Sequence, residues 1–172
     1  MKMKGLFYFG LIVSFTSCSN YVTKLKSNYS RHEKEYNNLQ KHFYGIENNS
    51  CNSVSFRNRK ELKIIDIHVE DSVSNLISSI DYNVKDAKFE KGVGFNCNYS
   101  IDTILSFFQK TNCSVIEWRG QCLFVGFGGN IKSKNAEFES GILMCKKGFS
   151  QILGHHIEKI SDTVFVYEKR VL

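Results

Sequence analysis

Along residues 21–44 the side chains alternate between apolar and polar with the period of an α-helix. One face, reached by alternating steps of three and four, carries Val22, Leu25, Tyr29, His32, Tyr36, Leu39 and Phe43. Charged and amide side chains fill the other positions, so the segment predicts an amphipathic helix about 36 Å long. We expect Gly45 to end it, because glycine readily takes the left-handed conformation that follows many helices.

Two arrangements of this helix are open. Its apolar face packs against the rest of the chain, or it pairs with another helix as a stalk. We favour packing on the domain, because only about three heptads are present and Tyr29, His32 and Tyr36 are poor residues for a coiled-coil seam. The polar residues 47–53 that follow predict a loop or linker.

From about residue 54 the pattern changes between strand-like and helix-like segments. Strands are predicted at 62–69, weakly at 88–96, at 113–118 and 121–127 as a hairpin, at 141–145 and at 163–171. Helices are predicted after Asp71, with Val73, Leu76, Ile77 and Ile80 on one face, after Ser100, and at 150–160. This order predicts an α+β fold, an antiparallel sheet with helices packed on one face, preceded by the N-terminal amphipathic helix.

The first residues have the features of a secretory signal. Lys2 and Lys4 precede an apolar run at residues 6–15. The run is too short for a transmembrane helix, which needs about 20 apolar residues. Phe15-Thr16-Ser17-Cys18 resembles the lipobox of bacterial lipoproteins, in which small residues precede an obligatory cysteine. The resemblance covers residues 1–18 and implies that the chain is cut before Cys18, whose thiol carries a diacylglyceryl group and whose amino group is often acylated.

This resemblance sets the expected organisation and location. Two or more acyl chains such as palmitate give stable attachment to a membrane. We expect a signal peptide at 1–17, an anchor, helix and linker at 18–53, and a single α+β domain at 54–172. Ser19 rather than aspartate follows the cysteine, which is similar to the outer-membrane sorting pattern. The expected location is therefore the cell envelope, on the periplasmic face of the outer membrane.

The composition describes a folded domain of mild charge. Hydrophobic residues make up 42% and aromatic residues 13% of the chain, which is too apolar for disorder. The net charge is +6, of which Lys2 and Lys4 supply two. Basic residues are dispersed, with the densest group at 57–60, whereas a nucleic-acid-binding protein concentrates them on one face. We expect no nucleic-acid partner, and we interpret 57–60 as a solvated loop or, alternatively, a contact for anionic lipid headgroups.

Five cysteines remain besides Cys18, so they cannot all pair within one chain. They are Cys51, Cys97, Cys113, Cys122 and Cys145. An oxidising envelope permits one or two disulfides, but the sequence does not fix the pairing. The last three lie in apolar runs, where we expect burial. No spacing typical of a zinc site is present.

The glycines and the paired histidines give weak signals for a site. Residues 126–130 are glycine-rich but match no phosphate-binding pattern, so we interpret them as a turn. His155 and His156, with Glu158 nearby, could supply metal ligands. Adjacent histidines on a helix point about 100° apart, which makes a shared metal ion unfavourable, and we expect no metal or cofactor.

His68 is the other candidate for chemistry. On a strand it would share a face with Asp66 and Glu70, whose carboxylates could raise its proton affinity. No nucleophile is assigned nearby and no hydrolase motif is present. We therefore assign no catalytic residue from the sequence.

The function expected from these features is binding by a lipid-anchored envelope protein. Its partners would be the membrane, through acyl chains on Cys18, and an envelope protein, as an accessory subunit or as an immunity-type protector. Tyr29, Tyr36 and Trp118 are candidate contacts if they are exposed. The alternatives are an envelope hydrolase with a Cys/His or His/carboxylate site, and a structural spacer.

Overall fold

The computed structural model describes most of the chain beyond the predicted signal peptide. The described residues are 20–45, 51–59, 61–71, 77–90, 99–119, 121–128, 131–133, 136–146 and 155–171. Cys18 and residues 1–17 lie outside them, as do Cys97 and residues 72–76 and 150–154. The predictions that fall on those residues remain predictions.

The predicted amphipathic helix forms as two consecutive helices. Helix α1 occupies residues 20–31 and helix α2 runs over Glu33–Tyr44. The interruption is at His32, whose backbone N–H is shared between the carbonyls of Asn28 and Tyr29 at 3.0 and 3.1 Å. Gly45 follows α2 as predicted, but it has a right-handed conformation with φ −79°. Its N–H donates to the Lys41 carbonyl at 2.9 Å, so the last turn closes without a left-handed residue.

Ten strands and a third helix follow in the described part of the chain. The strands are β1 (Cys51–Arg59), β2 (Ile64–Asp71), β3 (Ile77–Asn83), β4 (Lys88–Glu90), β5 (Val115–Arg119), β6 (Cys122–Gly126), β7 (Ile131–Ser133), β8 (Ala136–Cys145), β9 (His155–Lys159) and β10 (Val164–Val171). They form one antiparallel sheet in the order β4-β3-β2-β1-β5-β6-β8-β10-β9, with β7 paired to β8. The predicted α+β fold is confirmed.

Helix α3 (Ile101–Thr111) begins where its sequence predicts. The Ser100 side chain accepts a hydrogen bond from the Thr103 N–H at 3.3 Å, which satisfies one of the unpaired donors of the first turn. At the other end Asn112 takes the left-handed conformation with φ 56°. The predicted hairpin after α3 is also confirmed, because β5 pairs with β6 along their whole length.

Several local predictions are wrong, and in each case strand pairing decides the structure. The helix predicted after Asp71 is instead β3 from Ile77 onward, paired with β2. Residues 155–159 of the predicted helix 150–160 form β9, paired with β10. The predicted linker 47–53 already belongs to β1 from Cys51, and the basic group at 57–59 lies in β1 rather than in a loop.

The main core lies between the helices and one face of the sheet. Phe43 of α2 stacks on Trp118 of β5, with ring centroids 5.6 Å apart, and also contacts Phe56 and Tyr99. Tyr36 is fully buried and its ring meets Phe107 of α3 edge-on at 5.1 Å. The favoured docking of the helix on the domain is therefore what the structure has. Tyr29, Tyr36 and Trp118 are core residues, so they are not contact residues for a partner.

A smaller buried cluster lies on the other face of the sheet, along β5, β6, β8 and β10. Cys122 and Cys145 belong to it and form a disulfide between directly opposed positions of β6 and β8. Cys113 is also buried, as predicted, but its thiol is free. The structure thus fixes one pairing that the sequence left open.

Replacing Phe43 by alanine tests whether α2 is an integral part of the core. The side chain is 2% exposed and is surrounded by aromatic rings, so the cavity left by Phe43→Ala is expected to lower the free energy of unfolding by about 3 to 5 kcal/mol. Urea denaturation, followed by the loss of β-sheet structure, measures this change in the free energy of unfolding. Lys41→Ala, on the exposed side of the same helix, is the matched control and is expected to change stability by less than about 0.5 kcal/mol. Equal stability of the two variants would contradict docking.

Candidate functional site

The part of the sheet formed by β1, β2 and β3 has one apolar and one polar face. Val54 and Phe56 of β1 point into the core with Ile65 and Ile67 of β2. Because side chains alternate along a strand, the intervening residues lie on the opposite face. These are Ser53, Ser55, Arg57, Arg59, Asp66, His68, Ser79 and Asp81. This face is a polar surface that solvent reaches.

The same side of the sheet continues across β5, β6 and β8. On it, three arginines each contact a carboxylate that is almost buried. Arg59 Nε lies 2.8 Å from Asp66 Oδ2, and Arg119 Nε lies 2.6 Å from Glu117 Oε1. Arg57 Nη2 is 3.7 Å from Glu139 Oε2. The arginine side chains are 43–56% exposed, whereas those of the carboxylates are only 6–9% exposed. We call these three ion pairs the arginine face.

The buried carboxylates fix the arginines. A carboxylate removed from water needs a charged or hydrogen-bonding partner. A guanidinium has five N–H donors, so the contact with its carboxylate uses only part of its capacity. Each arginine is therefore oriented by the carboxylate beneath it, and its remaining N–H groups can still donate hydrogen bonds to another molecule. The arrangement suits recognition of carboxylates, carbonyl groups or aromatic rings on a partner.

A glycine makes room for one of these carboxylates. Gly126 of β6 lies beside Glu139, and a Cβ at this position would stand 2.7 Å from Glu139 Oε1 and 2.6 Å from Val115 Cγ1. Ser114 Oγ supports the same carboxylate with a hydrogen bond at 3.2 Å. Gly126, the first residue of the glycine-rich segment, therefore leaves the space in which Glu139 reaches Arg57.

Two aspartates and a histidine meet at the centre of β2 and β3. Asp66 lies directly opposite Asp81 in the strand register, and His68 Nε2 is 3.8 Å from Asp66 Oδ2. A hydrogen bond with Asp66, then burial and the Asp66 charge, raise the pKa of Asp81. The two carboxyl groups thus favour sharing a proton. The predicted meeting of His68 and Asp66 is confirmed, whereas the side chain of Glu70 is not described.

A groove of about 600 Å³ runs between α2 and α3, on the helix side of the molecule. Leu39 and Phe107 contribute apolar surface, and Lys41 and Lys110 lie beside the acidic Glu35 and Asp102 in its lining. Its charges therefore balance. His42 borders it and accepts a hydrogen bond from the Ser100 N–H at 3.1 Å. Burial lowers the pKa of His42, which favours the neutral, accepting form.

The other predicted candidates do not form a site in the described residues. The backbone of His155 and His156 lies in β9, so the helical geometry used to weigh them was wrong. Glu158 instead pairs with Lys26 of α1 at 2.5 Å. No cluster of three or more histidine, cysteine or acidic side chains suited to a metal ion occurs among the described residues.

Three cysteines with described side chains, Cys113, Cys122 and Cys145, are poor nucleophiles. Cys122 and Cys145 are joined in a disulfide. Burial raises the pKa of the Cys113 thiol to about 12, so the reactive thiolate is scarce near neutral pH. A Cys/His catalytic site therefore finds no support at these three residues.

Comparisons with protein-family models, with curated proteins and with solved structures each gave no match. Among the described residues no helix has both the length and the apolar character needed to cross a membrane. The function must therefore be argued from the molecule's own surfaces.

Most of the arginine face was missed by sequence reasoning. In the sequence, Arg57 and Arg59 stand out only as part of the basic group 57–60. Arg119 lies between the two strands of the predicted hairpin. Their carboxylates come from three different strands, and Glu139 joins Arg57 from 82 residues away along the chain. Such pairs depend on strand order and register, which alternation within one strand does not reveal. The alternation of Ser53, Ser55 and Arg57 with apolar residues was the available signal.

The shared proton predicts an unusual pH dependence of stability. A carboxyl group whose pKa is raised in the folded state stabilises the fold at low pH, and this contribution is lost as pH rises through the raised pKa. Asparagine does not ionise, so we expect Asp81→Asn to remove this loss of stability at higher pH. Relative to wild type, the variant should gain stability as the pH rises above about 4, the ordinary pKa of aspartate, as measured by urea denaturation. Asp86→Asn, in the exposed turn after β3, is the control. A variant that is less stable at neutral pH with an unchanged pH profile would refute the shared proton.

Proposed function

We propose that this protein is a lipid-anchored envelope protein that binds a partner protein through the arginine face. The observation that carries this proposal is the set of half-exposed arginines, each held by an almost buried carboxylate on the side of the sheet away from the helices. Arginine is among the residue types enriched at the energetic centres of protein interfaces. Side chains oriented before binding lose less conformational entropy on association.

The expected partner presents acidic or aromatic groups. Arg57, Arg59 and Arg119 bring partly exposed positive charge to this face, while their carboxylate partners are withdrawn into the sheet. His68 is 41% exposed beside Asp66 and adds a further polar group. A planar guanidinium recognises a carboxylate with two parallel hydrogen bonds, so an acidic surface would be a complementary partner.

The lipid anchor on Cys18 remains part of the proposal and is supported by the lipobox-like segment and the position of α1. Helix α1 begins by residue 20, two residues after Cys18, and packs on the domain through Leu25 and Tyr29. An acylated Cys18 would therefore hold the domain close to the membrane, without a stalk. The structural spacer, which needed an exposed helix, loses its basis because the helix is docked.

The anchor is tested by mass spectrometry of the purified chain. We expect wild type to begin at Cys18 and to carry acyl groups. We expect Cys18→Ser to retain residues 1–17 and to carry none, because serine lacks the thiol that receives the lipid. Cys113→Ala, which replaces a buried free cysteine, is the control and should keep the acyl groups. A wild-type chain with an intact leader and no acyl groups would rule out the anchor.

The binding surface is tested with Arg57→Lys/Arg59→Lys. Lysine keeps the positive charge beside the buried carboxylates but loses the planar fork of donors. After cross-linking in intact cells, we expect a specific protein partner to be captured with wild type and to fall about tenfold with the variant, equivalent to roughly 1.4 kcal/mol. Lys85→Arg/Lys88→Arg, at exposed positions near the sheet edge, is the matched control and should retain the partner.

Two results would overturn binding as the function. Capture that is equal for both variants would remove the arginine face from the interface. The absence of any partner, together with hydrolysis of envelope material by wild type but not by Asp66→Asn, would favour the runner-up function, a hydrolase. That alternative rests on Asp66, Asp81 and His68, which bring a shared proton and an imidazole together on one surface.

A further inference from the structure

The solvent side of the N-terminal helices carries a second charged surface. Lys24 and Arg31 of α1 are exposed and seven residues apart, and Lys34 and Lys41 of α2 have the same relation. Residues seven apart on a helix lie within about 20° of one another. The members of each pair are therefore aligned along the helix, and both pairs lie on the solvent side of α1 and α2. We call Lys24, Arg31, Lys34 and Lys41 the basic helix face.

Basic residues outnumber acidic residues on these helices. Residues 20–45 contain only two carboxylates, those of Glu33 and Glu35. Glu35 is paired with Lys110 of α3 at 3.4 Å. Glu33 is exposed beside them, so four basic side chains share the solvent side of α1 and α2 with one exposed, unpaired carboxylate. None of the four basic residues makes an ion pair with another described residue.

The position of the anchor decides what this surface meets. Residue 20 follows Cys18 by two positions, a span of at most about 7 Å. An acylated Cys18 therefore places the start of α1 at the lipid headgroups. Because only His32 separates α1 from α2 and both helices are docked on the sheet, the basic residues of both helices can face the membrane together. Lys41 also borders the groove between α2 and α3, so this groove marks one edge of the basic helix face.

We propose that the basic helix face lies against the membrane and binds anionic phospholipid headgroups. This inference rests on the proposed acylation of Cys18 and adds the orientation of the domain at the membrane. Phosphate-bearing headgroups are complementary to a row of exposed lysine and arginine side chains, and the attraction is screened by salt.

Amine footprinting of the mature lipoprotein tests the orientation. The protein is placed in detergent, in phosphatidylcholine vesicles and in vesicles containing phosphatidylglycerol, then labelled with a water-soluble amine reagent and mapped by mass spectrometry. We expect labelling of Lys24, Lys34 and Lys41 to fall at least threefold in the anionic vesicles, and less in phosphatidylcholine or at high salt. The exposed Lys63, Lys85 and Lys88 are internal controls and should label equally in all samples.

A charge variant separates attraction from simple shielding by the anchor. We expect Arg31→Glu/Lys34→Glu to restore labelling of Lys24 and Lys41 in anionic vesicles. Lys85→Glu/Lys88→Glu makes the same change of charge elsewhere and should leave their protection intact. Unchanged labelling of the basic helix face between detergent and anionic vesicles, or protection of the control lysines instead, would overturn the proposed orientation.

The same samples distinguish failure of the surface from failure of the anchor. Intact mass reports acylation, and flotation reports membrane binding. An acylated chain that floats without protection of Lys24, Lys34 and Lys41 refutes the basic helix face alone. A chain without acyl groups that still floats with anionic vesicles, with these lysines protected, supports the surface and refutes the anchor. A chain that neither carries acyl groups nor floats refutes both.

Discussion

The packing of α2 on the sheet is the interaction on which the rest of the structure depends. Tyr36, Leu39 and Phe43 of α2 are at most 2% exposed, and they lie in one core with Val54 and Phe56 of β1 and Trp118 of β5. Without this cover, one apolar face of the sheet would meet water. Since a large aromatic side chain contributes several kcal/mol on burial, the helix stabilises the sheet and is in turn held in place by it.

Covering one face of the sheet determines the character of the other. Strand residues alternate, so the positions between the core residues of β1 and β2 face away from the helices, and here they are polar. Their carboxylates are nonetheless largely shielded by neighbouring strands, with Asp66 4% and Glu139 4% exposed. Shielded carboxylates need cationic partners, and Arg57 and Arg59 supply them. The orientation of the arginines is thus a consequence of sheet burial, and the proposed binding face follows from it.

Much of the fold could be predicted from local patterns, whereas the site depends on contacts between residues that are far apart along the chain. The stripe along 21–44 and the cap at Ser100 were predictable, because helix periodicity and capping involve residues a few positions apart. Residues 77–80 fitted a helical face, but pairing with β2 places Ile80 and Tyr82 in the core with a period of two. The meeting of Asp66 with Asp81 and of Arg57 with Glu139 requires the strand order itself. A break at His32 also had no evident signal, since its neighbours continue the helical pattern.

The two proposed surfaces are compatible because they lie on opposite sides of the molecule. The helices cover one face of the sheet, and the arginine face belongs to the other. If the basic helix face lies on the membrane, the sheet separates the lipid from Arg57, Arg59 and Arg119, and these side chains point toward the aqueous side. Stacked layers of secondary structure are about 10 Å apart, so the arginines would stand beyond the headgroups and within reach of a neighbouring envelope protein. Anchoring and partner binding would then occur together, with no need for the domain to detach or to be raised on a flexible stalk.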